Sequence, residues 1–306
     1  MIDVLTGFAV VGVAILTGYV VGRVDLLGPQ GRFVLSRLCF FVLNPLLLFT
    51  VLAEADLGVL FSALLPVSAL AAAAIFILYG LVARLGWRRG WGVTAVGALG
   101  AGYVNGNNIG IPIATYVLGD AAYAAPILLL QLLVFTPIVL AILDGSSSGE
   151  ASFGAIARRT LRNPMIIGAA LGVLVALLDV ELPPIVMDPL RLLAGGAVPV
   201  LLISFGMSLY GQRVLTQVGT RRDIALATVC KLALMPLVAW AIGRFAFQLD
   251  DHALLAVVVL AALPSAQNVF NYAQRYEVGE VVARDTVFLT TLGCLPALFA
   301  CALLLG

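Results

Sequence analysis

Histidine occurs once in this chain, at His252, and charge is scarce: Asp, Glu, Lys and Arg make up 11% of the 306 residues, against about a quarter in soluble domains. One histidine leaves a His-built metal centre or a Ser-His-Asp triad without its parts. The four cysteines, Cys39, Cys230, Cys294 and Cys301, are scattered in apolar runs without a CxxC pair. Neither a disulfide framework nor a thiolate metal site is expected. No HExxH motif and no pair of acids within an apolar run is present, so general-base chemistry has little to work with and a membrane enzyme is disfavoured. No GxxxxGK[ST] phosphate loop occurs. Any transport energy would come from gradients or the membrane potential, and no cofactor is expected. The net charge of +1 supplies no field for nucleic acid. No basic stretch precedes the first apolar run, Val4–Val21, which is therefore expected as a retained helix rather than a cleaved signal.

What is present is apolar sequence: 62% of residues are hydrophobic and the mean hydropathy is +1.11. A spanning helix needs about 20 mostly apolar residues. Ten segments qualify: 4–22, 33–52, 58–83, 91–118, 121–143, 163–179, 186–209, 224–247, 252–275 and 284–305. The expected class is an all-α integral membrane protein, multi-pass in the cell membrane. Arginines gather in alternate connectors (Arg23, Arg32 and Arg37; Arg84, Arg88 and Arg89; Arg158, Arg159 and Arg162; Arg213, Arg221 and Arg222; Arg275 and Arg284). The others are acidic (Glu54 and Asp56; Asp120; Asp179, Glu181 and Asp188; Asp250 and Asp251), with Arg191 and Arg244 at their borders. The positive-inside rule puts the arginine-rich connectors in the cytoplasm and both termini outside.

The longest connector, DGSSSGEASFGAIARRT, divides the chain near its midpoint. The expected organisation is a first five-helix repeat over 1–143, a cytoplasmic linker over 144–162 and a second repeat over 163–306. Five is odd, so two such repeats must enter the membrane in opposite directions. Proline placement supports a repeat: Pro45 and Pro199 in segments 2 and 7, Pro112 and Pro264 in segments 4 and 9, Pro137 and Pro296 in segments 5 and 10. Pro66 and Pro236 in segments 3 and 8 match more loosely.

Segment 4 carries the most polar stretch of any span, GYVNGNNIGIPIATYVLG from Gly102 to Gly119. Unwound backbone survives in hydrocarbon only where protein or a wet cavity satisfies it. Asn105, Gly106, Asn107, Asn108, Gly110 and Pro112 mark a helix break, and segment 9 has a counterpart in Pro264, Ser265, Gln267 and Asn268 of LPSAQNVFNYAQRY. Two breaks at matching depth would aim the N-terminal ends of their second halves at one point. Each end carries about half a positive charge, so the pair suits one carboxylate. A dicarboxylate would need a bound cation or Lys231. The alternative is two kinked helices whose asparagines bond across the bundle.

NGNNIGIP resembles the N-x-G-x-I-G-x-P signature of the auxin efflux carrier family, which includes plant auxin exporters and bacterial permeases, some of them associated with malonate. The similarity extends through AILTGYVVGRVDLL, SRLCFFVLNPLLLF, RNPMIIGAALGVL, AVPVLLISFGMSL, CKLALMPL and LPSAQNVFNYAQRY. The resemblance implies ten helices in two inverted five-helix repeats with crossed, broken helices 4 and 9. This is the crossover fold also seen in sodium/bile-acid symporters and sodium/proton antiporters. It further implies a transport domain of helices 3–5 and 8–10, a scaffold of helices 1, 2, 6 and 7, an elevator-type motion, and a homodimer. The asparagine heading the family motif falls on Asn105. Asn107 and Asn108 depart from the family's glycine and apolar or aromatic residue, and Asn271 is polar where relatives are often apolar, which points to a wetter site.

The expected function is a secondary carrier for a small organic anion, a carboxylate or auxin-like weak acid, with membrane lipid as its other partner. Sodium or proton coupling stays open. A cation/proton antiporter is the rival carrier, disfavoured because the cores of segments 4, 5, 9 and 10 lack the needed acid. A receptor that binds without transporting is the third reading. Lys231, about seven residues into segment 8, is either a snorkelling lysine or a gating or charge partner. Asn44 beside Pro45 reads as a scaffold kink, His252 as an outer-loop residue, and Trp87, Trp91 and Trp240 as an aromatic belt. GALGAGYVNG fails as a dinucleotide fingerprint, because Asn105 takes the third glycine's place and no strand precedes it.

Overall fold

Four spans of the computed structural model contain a five-residue π-helical turn that ends two residues before a proline: Cys39–Leu43 before Pro45, Gly106–Gly110 before Pro112, Gln131–Phe135 before Pro137 and Cys230–Leu234 before Pro236. A proline removes one backbone donor and crowds the carbonyl four residues back. The wider π turn relieves that conflict without ending the helix. Three of the prolines that look like kinks in the sequence are accommodated in this way inside continuous spans.

The structure describes residues 2–54, 63–146, 162–211 and 214–305. The start of the expected segment 58–83 and most of the linker 144–162 lie outside the described residues. The helices are α1 (Ile2–Arg23), α2 (Gly31–Ala53), α3 (Leu64–Gly86), α4 (Trp91–Gly102), α5 (Ile111–Tyr116), α6 (Ala121–Leu143), α7 (Pro164–Leu177), α8 (Pro184–Met207), α9 (Val218–Ala246), α10 (Asp251–Ala261), α11 (Gln267–Arg275) and α12 (Glu280–Leu305). Segment 4 is thus divided into α4 and α5, and segment 9 into α10 and α11. Six helices, α2, α3, α6, α8, α9 and α12, are long and apolar enough to cross a membrane, and four shorter apolar stretches accompany them. Among the described residues the only β-type pairing is an isolated antiparallel bridge between Val104 and Ser265.

The chain divides into two compact units. The first holds residues 1–62, 107–129 and 158–212, the second 63–106, 130–157 and 213–306, so the boundary falls between Gly106 and Asn107 and again inside α6. Within the first unit, α1 packs on the second half of α8 and α7 on the second half of α2. Small residues allow both approaches, as is usual between membrane helices. A Cβ on Gly18 would collide with the Ile203 carbonyl, and one on Gly172 would lie 2.6 Å from the Phe49 carbonyl oxygen. The two contacts are related by one shift: Gly172 lies 154 residues after Gly18, and Ile203 lies 154 after Phe49. Asp25 and Asp179, at the same spacing, both adopt a left-handed backbone, with φ of 53° and 52°. α5 also rests on α1.

A second shift recurs inside the other unit. α3 and α9 both close in a π turn, Val82–Gly86 and Ile242–Ala246, 160 residues apart. Arg88 and Gln248 follow with φ of 54° and 50°. Extended caps at Gly90 and Asp250 then start α4 and α10. The core here is made by α4 and α10 packed among α3, α9 and α12. α4 is nearly all buried, and its glycines set the spacing. A Cβ on Gly97 would collide with the Tyr79 hydroxyl, and one on Gly102 would lie 2.6 Å from the Phe76 ring.

Candidate functional site

α4 ends at Gly102, and Tyr103 leaves the helix in an extended conformation. α10 ends at Ala261, and five residues separate it from α11. The two interruptions meet within the second unit. Asn105 N–H donates to the Pro264 carbonyl at 2.7 Å, and Ala266 N–H donates to the Tyr103 carbonyl at 3.0 Å, on either side of the Val104–Ser265 bridge. Buried backbone groups freed by one break are therefore taken up by the other, which is the condition for non-helical chain at membrane depth. The break in segment 4 is narrower than the sequence suggests. Only Tyr103–Asn105 is non-helical, because Gly106–Gly110 winds as a π turn straight into α5, with Pro112 in the first turn of α5.

Side chains finish the arrangement. Ser265 is fully buried, and its hydroxyl donates to the Gly100 carbonyl at the end of α4. Its N–H donates to Thr290 Oγ1 at 3.1 Å, and that hydroxyl donates to the Thr286 carbonyl at 2.7 Å. Tyr103 and Thr136 hydroxyls pair at 2.9 Å, and Tyr272 stands 3.5 Å from the same threonine. Lys231 is 0% exposed. Its Nζ donates to the Ala261 carbonyl at 2.5 Å and contacts Met235 Sδ at 3.1 Å. It does not snorkel. It runs inward to the C-terminal end of α10.

Of the residues expected to form the site, Asn105, Gly106, Pro264, Ser265, Gln267 and Asn268 belong to the second unit, together with Lys231. Asn105 is buried at 3% exposure, Gln267 is half-buried and Asn268 is exposed. Asn107, Asn108, Gly110 and Pro112 belong to the first unit. There Asn107 and Asn108 are half-buried and joined by an Nδ2–Oδ1 bond of 3.0 Å, while Asn107 Oδ1 has no hydrogen-bond partner among the described residues. The count of two converging N-terminal ends omitted the C-terminal ends of α4 and α10, which arrive at the same crossing with partial negative charge.

The sequence reading passed over several polar residues here. Tyr103, Thr136, Tyr272, Thr286 and Thr290 look like ordinary residues of apolar spans, and only the fold shows their proximity. Gln131 is different. It is 2% exposed with Oε1 unpartnered, and a lone amide in the run APILLLQLLVF is a signal that could have been used. Two acids are also buried. Asp223 receives Arg89 Nη2 at 2.6 Å and Nε at 3.1 Å; Asp285 accepts from Arg284 Nε at 2.8 Å and from Leu215 N–H at 2.7 Å. Asp285 is the second residue of segment 10, outside the core expected to lack an acid, yet it is 0% exposed. Both carboxylates are already held by arginine. No cluster of three metal-ligating side chains occurs among the described residues.

Comparison with known proteins bears on this geometry. The chain matches the family described as membrane transport protein over residues 3–301. It is 32% identical over 206 residues to a protein of Rhizobium meliloti (strain 1021) named "Putative malonate transporter", an alignment covering 65% of this chain and 63% of that protein, less than two thirds of its length. It is 28% identical over 297 residues to a protein of Methanothermobacter thermautotrophicus (strain Delta H) named "Uncharacterized transporter", covering 94% of this chain and 93% of that one.

Proposed function

Since this chain belongs to the membrane transport protein family, the auxin efflux carriers, we propose that it is a secondary carrier for a small carboxylate, working by elevator-type alternating access. The observation that carries this reading is the crossing of two interrupted helices inside the second unit, where Asn105 pairs with Pro264 and Ser265 with Val104. Buried, non-helical backbone in a multi-pass membrane protein is expected where a substrate is handled. The polar side chains described about the crossing are amides, hydroxyls and one ammonium. No carboxylate is among them, so an anion meets side-chain donors without a competing carboxylate. Within the second unit the proposed site comprises Asn105, Gly106, Pro264, Ser265, Gln267 and Asn268; Asn107, Asn108, Gly110 and Pro112, in the first unit, are proposed for substrate contact from the sequence alone. The name of the Rhizobium meliloti relative suggests malonate as the first substrate to try.

The proposed architecture is two inverted five-helix repeats, with segments 3–5 and 8–10 moving against a scaffold of segments 1, 2, 6 and 7. The shifts of 154 residues in the first unit and 160 in the second support the repeat. The grouping of segments 1, 2, 6 and 7 in one compact unit supports the scaffold. Residues 107–129 group with that unit as well, so the proposed motion must release α5 from α1. Both termini outside the cell and a homodimer through the scaffold complete the proposal.

The test is uptake by proteoliposomes holding the purified protein. Radiolabelled malonate should accumulate saturably and be displaced by other small carboxylates. Saturable binding without uptake would make the protein a receptor. Uptake of tetraethylammonium in place of any carboxylate would refute the anion carrier.

A further inference from the structure

We propose that Lys231 is a tethered cation: by holding the C-terminal end of α10 it takes the place a coupling sodium ion would need at the break, so that carboxylate transport proceeds without sodium. This rests on the carboxylate-carrier reading.

Lys231 is the only lysine in the chain; the other sixteen of its seventeen basic residues are arginines. Among the described residues, the arginines lie in connectors or within about two turns of a helix end, whereas Lys231 sits in the middle of α9, fully buried. None of the ion pairs among the described residues involves it. Its hydrogen-bond partners are a carbonyl and a thioether. A buried ammonium without a carboxylate is costly unless something negative faces it. What faces it is the end of an eleven-residue helix, α10, whose last carbonyls carry about half a negative charge. An ammonium is a compact point charge suited to one carbonyl, where a guanidinium fork would need a planar partner.

The position gives the contact its meaning. Ala261 is the last residue of α10, and Ser265 in the break bridges to Val104. α4 ends at the same crossing, but its Gly100 carbonyl is met by the neutral hydroxyl of Ser265. Within this unit two helix C-terminal ends and one N-terminal end, that of α11, therefore reach the crossing. Without Lys231 the balance is negative, and the crossing would draw in a cation and repel a carboxylate. With Lys231 the balance is positive. The residue that neutralises the end of α10 thus also sets the sign of the site.

The experiment uses wild-type protein, Lys231→Arg, Lys231→Met and Lys231→Ala in proteoliposomes, with thermal unfolding of each as a folding control. Wild-type malonate uptake should change by less than about twofold when sodium is replaced by N-methylglucamine. Lys231→Met, an uncharged side chain about one atom shorter, should lose about tenfold or more, the scale of one charged hydrogen bond. Lys231→Ala should regain several-fold activity with sodium or propylammonium, and Lys231→Arg should stay sodium-independent. A wild type that loses uptake about tenfold without sodium overturns the proposal, as does Lys231→Met transporting at the wild-type rate. Binding of radioactive sodium to the purified protein separates this proposal from the carrier reading. It should be absent in wild type and gained in Lys231→Ala, whether or not malonate is transported. Equal sodium binding by the two overturns the tethered cation. Absence of carboxylate uptake with the sodium result intact overturns the carrier alone. If both neutral variants fail to fold, the sodium response and sodium binding of wild type decide.

Discussion

The two interruptions solve one backbone problem with different chemistry. At the end of α4, the carbonyl of Gly100 takes a hydroxyl from Ser265; at the end of α10, the carbonyl of Ala261 takes the ammonium of Lys231. Beyond the first break the chain winds at once into a π turn that begins at Gly106 and ends at Gly110. Beyond the second it passes through Pro264 and Ser265 before α11 begins at Gln267. The approaches to the breaks are nevertheless alike, from the π turns at Val82–Gly86 and Ile242–Ala246 to the left-handed residues Arg88 and Gln248. Likeness is kept where geometry aims the helices and lost at the crossing, where the substrate site is proposed. That is the pattern expected of a duplicated framework whose two halves share one site.

The sharpest way to break the comparison is topological, because the outcome is all or none. If α4 and α10 belong to inverted repeats, the connectors leading into them lie on opposite sides of the membrane. In a background with the four native cysteines replaced, a cysteine at Asp251 should react with an impermeant maleimide on intact cells, as should cysteines at Glu54 and Asp179. A cysteine at Arg88 should react only after permeabilisation. Labelling of positions 88 and 251 from the same side would remove the inverted repeat and leave the matched turns without a cause.

Next in size is the stability of the end of α4. In Gly102→Ala the new methyl would sit 2.6 Å from the Phe76 ring. Overpacking of a buried site costs about 1–3 kcal/mol, so the melting temperature in detergent should fall by several degrees. Ser265→Ala should be of similar size, since it strands the buried Gly100 carbonyl at about 1–3 kcal/mol. Ser265→Ala should leave sodium dependence unchanged, unlike Lys231→Ala. If the serine variant also became sodium-dependent, the hydroxyl and ammonium caps would be equivalent and the contrast between the breaks would fail.

The sequence made the location of both breaks legible, because asparagine, glycine and proline are rare in apolar runs. Their extent was harder to see. A π turn has nearly the composition of an α turn, and its cue, a proline two residues beyond, is also the cue for a kink. The contact made by Lys231 was out of reach. Its partner Ala261 lies thirty residues away, and depth along a helix says nothing of which neighbour a long side chain meets. The burial of Asp223 was hidden likewise, because Arg89 is separated from it by more than a hundred residues. By contrast, Asn105 and Ser265 could be chosen from the chain alone, since a polar residue at a break must either pair across it or meet what passes through.

The smallest effects should rank the amides themselves. Asn105 is almost wholly buried at the first break, Gln267 is half-buried at the start of α11, and Asn268 beside it is exposed. A ligand-bonding amide in a dry setting loses about 1–2 kcal/mol when truncated, while an exposed one loses within about 0.5 kcal/mol. Asn105→Ala and Gln267→Ala should therefore weaken malonate binding by about tenfold, measured by isothermal calorimetry in detergent. Asn268→Ala should change it by less than about threefold, and none of the three should shift the melting temperature by more than a few degrees. The ranking matters more than the sizes. If burial at the crossing decides which amides hold the carboxylate, the effects must fall from Asn105 and Gln267 to Asn268. Equal losses at Gln267 and Asn268 would mean that the substrate sits on the solvent side of α11 and that the crossing only frames it. Normal binding by both Asn105→Ala and Gln267→Ala would move the site away from the breaks.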